Sequence, residues 1–324
     1  GMLAFRQAVA RWYGRRFAVA LDPATEVLGL IGRKEGNHHL ALALLNPGDV
    51  AILPNPAYPA YYSSVLFANA EAFRLPLQPD RGWLPNLGDV PSEVAGKAKL
   101  LILNYPNNPT TAVAPLSFYE EAVEFAKSYD LVVCNDFPYS EIAFDGERPV
   151  SLLQARGAKD VAVEFNSLSK PYNMTGWRIG MAVGNRDVID AMAQVKENTD
   201  SGIFNAVQYA GIAALDGPQG NVETVTGMYK RRRDLVVETW RSLGIRLDPP
   251  KATFYVWAPT PGGMRSARWA ERLLEIAGVV VTPGLGYGSL GEGYFRVSLT
   301  VPDARLDEAM RCIREHRAEL IARA

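Results

Sequence analysis

Cysteine and histidine, the residues of most small metal centres, are scarce here: 324 residues include two cysteines and three histidines. Neither Cys134 nor Cys312 has a second cysteine or a histidine at metal-ligand spacing, which excludes a zinc ribbon or a disulfide scaffold and fits a reducing, cytoplasmic setting. His38 and His39 are adjacent, so on a helix they point in different directions and make no two-histidine metal face; no metal is expected. An excess of one charge is missing too. With 34 basic and 35 acidic residues the net charge is -1, so nothing draws the chain to nucleic acid or anionic membrane, and partners must be recognised locally. No apolar run approaches a bilayer span, and Gly1 to Arg6 hold no signal-peptide apolar segment. The glycine ahead of Met2 reads as a tag-removal scar.

What is present is ample apolar material, 48% of residues, enough for a large domain and a smaller one. Seven short apolar runs bounded by Gly, Pro, Asn or Asp read as buried strands: 27–31, 50–53, 72–75, 100–103, 131–134, 161–165 and 179–183. Helical patterns at 34–45, 58–68, 116–129 and 188–198 alternate with them, predicting an α/β layered domain whose seven-stranded sheet is mostly parallel. Beyond Ile203 the character shifts to long helical segments, 204–215 and 222–243, then strand-like pieces at 253–258, 279–282 and 294–299 and a closing helix at 304–321. That region reads as a smaller α+β domain. The breaker cluster Asp216-Gly217-Pro218-Gln219-Gly220 sets the expected boundary, 2–216 against 217–324.

In Ser167-Leu168-Ser169-Lys170-Pro171-Tyr172-Asn173-Met174-Thr175-Gly176-Trp177-Arg178 a lysine lies close to two hydroxyls and eight residues before an arginine. Such a set suits a phosphorylated aldehyde: the amine forms an imine with pyridoxal 5'-phosphate while the hydroxyls and guanidinium hold the phosphate. The fourth expected strand ends in Asn104-Tyr105-Pro106-Asn107-Asn108-Pro109-Thr110, and the fifth in Asn135-Asp136-Phe137-Pro138-Tyr139. Three neighbouring strand ends thus offer polar groups to one crevice. Taken singly, an Asn-Pro turn, a strand-end aspartate and a lone lysine are ordinary structure; their conjunction is what points to a site.

Together these residues resemble the class I and II aminotransferases of fold type I, in the branch of the LL-diaminopimelate and alanine/aspartate aminotransferases, and the likeness runs from about Ala4 to the C-terminus. The resemblance implies a three-layer fold and a pyridoxal phosphate enzyme. In it Lys170 would form the Schiff base and act as proton-transfer base, Asp136 would pair with the pyridine nitrogen, and Tyr139 and Asn108 would bond the ring oxygen. Tyr58 would stack on the ring, and Ser167, Ser169 and Arg178, with Gly32-Arg33-Lys34 at a helix start, would hold the phosphate. Arg296, together with Asn108, would clamp the substrate carboxylate, and Asn205 would reach across a homodimer interface. The implied reaction is ping-pong transfer of an amino group from an L-α-amino acid to a 2-oxo acid. A β-lyase on the same residues, or a truncated cofactor-binding homologue with weak turnover, are the alternatives.

Three departures from the family pattern stand out. Relatives carry Gly-Ser-Lys where this chain has Gly32-Arg33-Lys34, which removes a hydroxyl. Asn-Pro-Thr-Gly becomes Asn108-Pro109-Thr110-Thr111, and because a β-branched residue resists positive φ, a reshaped loop is expected. The family's N-terminal arm, which covers the substrate, is not in this sequence, whose first helix is expected near Leu3. Two further signals read as bland: Gly284-Leu285-Gly286-Tyr287-Gly288 as a substrate-side loop rather than a dinucleotide turn, and Lys230-Arg231-Arg232-Arg233 as a solvated helix face.

Overall fold

The structure, a computed structural model, describes residues 1–322. Eight strands form the main sheet: β1 (Val27–Leu30), β2 (Val50–Asn55), β3 (Glu71–Gln78), β4 (Leu84–Pro85), β5 (Ala98–Leu103), β6 (Val132–Asp136), β7 (Ala162–Ser167) and β8 (Gly180–Gly184). Their order is β1-β8-β7-β6-β5-β2-β3-β4. The pairings from β3 through β2, β5 and β6 to β7 are parallel, while β8 runs antiparallel to both β7 and β1. All seven expected strands are in this sheet. The eighth, β4, is a two-residue antiparallel addition to the edge of β3, too short to leave any periodicity in the sequence.

Strand alternation divides the core into two layers. Leu101, Leu103, Val133 and Ala162 face one side, where α1 (Leu3–Phe17) contributes Phe5, Val9 and Tyr13. The other face carries Leu100, Ile102, Cys134, Val163 and Phe165 against α2 (Arg33–Leu44), with Leu40 and Ala41, and α3 (Ala60–Phe67), with Tyr61 and Val65. The short helix α4 (Ser92–Lys97) leads into β5, and α5 (Leu116–Tyr129) buries Phe118, Tyr119, Ala122, Val123 and Ala126 on the first face. Two more helices complete the layers: α6 (Arg186–Glu197) on the second face and α7 (Asn205–Asp216), packed on α1, on the first. Apolar residues on both sides are what a covered parallel sheet demands.

A second core surrounds a three-stranded antiparallel sheet of order β10-β11-β9, made by β9 (Tyr255–Pro259), β10 (Thr282–Pro283) and β11 (Tyr294–Ser298). Helices α8 (Gly220–Ser242), α9 (Ser266–Ala277), α10 (Asp303–Glu315) and α11 (Arg317–Ile321) pack on it. At its centre Trp240 meets Phe295 edge-on at 5.1 Å and Trp269 at 6.2 Å, while Trp269 lies 5.8 Å from Phe295. Three expectations are corrected here. Helix α9 went unforeseen although Trp269 and Leu273 lie at helical spacing; the strand expected at 279–282 shortens to two residues because Val281 packs into the core instead of pairing; and the closing helix breaks at His316.

The basic run on α8 is also not a simple solvated face. Arg233 is 3% exposed and bonds Asp145, Asp234 and the Pro250 carbonyl, and Arg232 donates to Asp303 and to the Leu299 carbonyl. Those two arginines tie α8 to its neighbours. Tyr139, Ile142 and Phe144, far upstream of residue 217, belong to this second core, so the two cores meet beside Asp136. No helix among the described residues is long and apolar enough to cross a membrane.

Candidate active site at the strand ends

The loops leaving β5 and β6 are fastened to one another by side-chain amides. Asn104 Nδ2 donates to the Asp136 carbonyl at 2.6 Å, its Oδ1 accepts from the Asn108 amide at 2.9 Å, and Asn135 Oδ1 accepts from the Tyr105 amide at 3.1 Å. Asp136 and Asn108 are thereby held at one sheet mouth. The Asp136 side chain is fully buried; its Oδ2 accepts from the Tyr61 hydroxyl at 2.6 Å and from Arg33 Nη1. Its Oδ1 is buried and has no hydrogen-bond partner among the described residues. Burial pushes this carboxyl up from its ordinary value, against the Arg33 charge and the Tyr61 hydroxyl, which favour the ionised form.

Lys170 follows β7 and is half-buried, with Nζ 5.2 Å from the Phe254 ring centroid and no hydrogen bond or ion pair among the described residues. Burial, and then the positive charges of Arg33, Arg178 and Arg296, lower its pKa from 10.5 to about 8, with Asp136 opposing. At pH 7 about a tenth of such amines are neutral, against roughly one in three thousand for an ordinary lysine. The arrangement makes an amine ready to attack a carbonyl.

The phosphate-side candidates divide into two groups. Arg178, itself at φ 55, lies against Gly32, the residue before α2, whose φ of 76 and missing Cβ leave room for the guanidinium; a side chain there would collide with it. Ser167 and Ser169 are buried close by, the Ser167 hydroxyl accepting from the Ser169 amide at 3.1 Å. Lys34 points to solvent, and Arg33 leaves the helix start altogether to reach Asp136, its guanidinium carbon 5.2 Å from the Tyr58 ring centroid. Neither side chain stands at the helix start where the sequence pattern had grouped them.

On the opposite wall Arg296, from β11, donates to Asn108 Oδ1 at 2.7 Å and lies between Tyr255, 3.9 Å from the ring centroid, and Tyr287, 4.9 Å away. Its Nε is buried without a hydrogen-bond partner among the described residues. Tyr139 is buried, with its hydroxyl 3.5 Å from that of Tyr255; burial and Tyr255 push its phenol well up. Tyr58 lines a cavity of about 260 Å³ with Tyr61, Arg74 and Tyr287. Asn205 is not brought to this group: it stands exposed at the start of α7, accepting from Gln208 at 3.3 Å.

Sequence reading missed Tyr61, Phe254 and Tyr255, and reached Tyr287 only as part of the loop read as substrate-side, where it now stands beside Arg296. Tyr61 had a signal, since it lies three residues after Tyr58 at the spacing of one helical face; the others owe their place to the meeting of the two cores. The reshaped loop expected at Thr111 is also corrected. Thr111 takes the glycine-like backbone, φ 65, held by its amide to the Asn107 carbonyl at 3.0 Å and by Asn107, whose amide bonds the Ala112 carbonyl at 2.8 Å. Asn107 Oδ1 accepts from both the amide and the hydroxyl of Thr110, so the loop over-determines a strained residue.

The orphaned carboxylate oxygen of Asp136, the room at Gly32 beside Arg178, and the uncharged fraction of Lys170 fit a phosphorylated heterocyclic aldehyde. Fold and site together define a class: the chain belongs to the class I and II aminotransferases, whose family model matches residues 1–313. It is an enzyme that transfers amino groups, of a family that works with pyridoxal phosphate. More particularly, it is 58% identical over 314 residues to the LL-diaminopimelate aminotransferase of Moorella thermoacetica, covering 97% of this chain and 80% of that protein. It is 54% identical over 314 residues to the enzyme of that name from Desulforudis audaxviator, with the same shares covered. Among solved structures, the probable N-succinyldiaminopimelate aminotransferase of Thermus thermophilus matches with a TM-score of 0.91 at 40% identity, over 97% of this chain and 84% of that one. All three relatives are named for amino-group transfer, which favours it over the β-lyase alternative.

Proposed function

We propose that this chain binds pyridoxal 5'-phosphate at Lys170 and transfers the amino group of LL-diaminopimelate, or a close L-α-amino acid, to a 2-oxo acid acceptor. The observation that carries the reading is Lys170 itself: an unpaired amine lowered to about 8 at the mouth of a sheet whose neighbouring strand ends in a buried carboxylate with one free oxygen. When bound, the coenzyme supplies an electron sink for charge developing at the amino acid Cα. The chain's own residues do the rest. Asp136 accepts from the ring nitrogen and keeps it protonated; Tyr139 and Asn108 donate to the ring oxygen; Tyr58 covers a ring face. Ser167, Ser169, Arg178 and the backbone amides at Arg33 and Lys34 hold the phosphate at the start of the twelve-residue α2. Arg296, steadied by Tyr255 and Tyr287, would grip the substrate carboxylate, and the Lys170 amine would move the proton at Cα.

The enzyme is proposed to work as a cytoplasmic homodimer, with residues 2–216 holding the cofactor and 217–324 closing over it. Two free cysteines support the compartment. An exposed apolar set, Tyr62, Phe67, Trp177, Phe204 and Tyr209 at 46 to 75% exposure, supports a second copy, with Asn205 carried toward the partner's site. Mixing the protein with pyridoxal phosphate should produce an absorbance band that Lys170→Ala abolishes, and a panel of amino donors with 2-oxoglutarate should rank LL-diaminopimelate first. A band that survives the substitution contradicts the site, and a first rank for an aromatic donor contradicts the substrate.

A further inference from the structure

Arg33 stands at the first position of α2, yet its guanidinium is turned into the crevice, paired with Asp136 Oδ2 and 5.2 Å from the Tyr58 ring centroid, with only 12% of the side chain exposed. The space bounded by the Asp136 carboxylate and the Tyr58 face is also the seat that the proposed function gives to the coenzyme ring. A protonated ring nitrogen and a guanidinium both require that carboxylate, and two cations side by side in a buried place repel. Asp136 Oδ1 is free to accept, but the guanidinium lies in the path of a ring that would stack on Tyr58. Resting on that reading, we propose that Arg33 is a built-in competitor for the ring seat: the coenzyme enters only as the Arg33–Asp136 pair breaks and the guanidinium withdraws. The pair compensates a fully buried carboxylate that would otherwise have only the Tyr61 hydroxyl for a partner. The Arg33 side chain therefore stabilises the cofactor-free chain at the expense of cofactor affinity, and the phosphate is left to the backbone amide of Arg33 rather than its guanidinium.

Two probes separate these roles: pyridoxal 5'-phosphate needs both the ring seat and the phosphate cradle, whereas inorganic phosphate needs the cradle alone. Each is titrated into wild type and Arg33→Ser stripped of cofactor, with protein fluorescence and thermal midpoint as readouts. Arg33→Ser should bind pyridoxal phosphate about tenfold more tightly, keep its phosphate affinity within about twofold, and melt lower than wild type until the cofactor is added. Arg33→Gln, which removes the charge but keeps most of the volume, should repeat the gain if the serine variant folds poorly. Unchanged or weaker pyridoxal phosphate binding in a folded variant overturns the inference, and a parallel loss of phosphate affinity marks Arg33 as a phosphate ligand instead. If neither protein binds pyridoxal phosphate at all, the proposed function fails and this inference with it; binding by wild type without a gain in the variants sinks the inference alone.

Discussion

Asp136 and Glu164 are fully buried carboxyls on adjacent strands, β6 and β7, yet they are served in opposite ways. Glu164 accepts from Ser151 Oγ at 2.7 Å, the Leu152 amide at 2.9 Å, the Tyr13 hydroxyl at 3.1 Å and Asn135 Nδ2 at 3.1 Å. Asp136 has two donors on one oxygen and none on the other. Glu164 faces the layer of α1, closed by local structure; Asp136 lies where the two cores meet, its second oxygen buried with no donor among the described residues. A buried polar group with every acceptor site filled rigidifies a fold, and one left with an open site beside a reactive amine is prepared for a ligand.

The largest test of that contrast is Asp136→Asn. Turnover per folded molecule should fall about 10³-fold, because catalysis uses the open oxygen, while the thermal midpoint of the cofactor-free protein also drops as the buried Arg33 guanidinium loses its charged partner; a lower midpoint with activity retained per folded molecule would erase the distinction. Next comes Glu164, whose carboxyl is pushed by burial from 4.5 up to about 7 despite its donors. A carboxyl raised on folding contributes stability below pH 4.5 that is lost as pH climbs through about 7, so denaturant unfolding of wild type should weaken over that window, by at most about 3 kcal/mol. Glu164→Gln should flatten the slope, and an unaltered slope would place the titrating group elsewhere.

A smaller effect belongs to Arg296→Lys, which keeps the charge but loses the fork. KM for the amino donor should rise by about tenfold to a hundredfold with little change in kcat. The smallest is Thr111→Gly: relief of the positive φ should raise stability by about 1 kcal/mol, read from the denaturation midpoint, with no loss of turnover. An unchanged midpoint would mean that the Asn107 bonds carry that conformation without strain.

Much of this was legible in the sequence because short continuous apolar runs announce a sheet covered on both faces and breaker-rich loops mark its ends. All seven expected strands lie in the main sheet, and Asn108, Asp136, Tyr139, Lys170 and Arg296 stand around one crevice. The misses share a cause, which is dependence on tertiary context. Tyr255 and Tyr287 lie more than a hundred residues from Asp136 in sequence, and only the packing of β9 and its neighbours against the Tyr139 segment brings them in. Arg33 follows the helix-start pattern in sequence, but a buried carboxylate attracts a nearby guanidinium more strongly than solvent does. Thr111 shows the reverse of a propensity rule, with three fixed hydrogen-bonding neighbours overriding a β-branched preference.

The most direct measurement is the titration of Lys170. Its reactivity toward an amine-acylating reagent, followed by peptide mass spectrometry across pH in the cofactor-free protein, should show a midpoint near 8. A midpoint near 10.5, the ordinary lysine value, would mean that the burial and the three surrounding arginines do not prepare this amine, and the account of the site would be wrong.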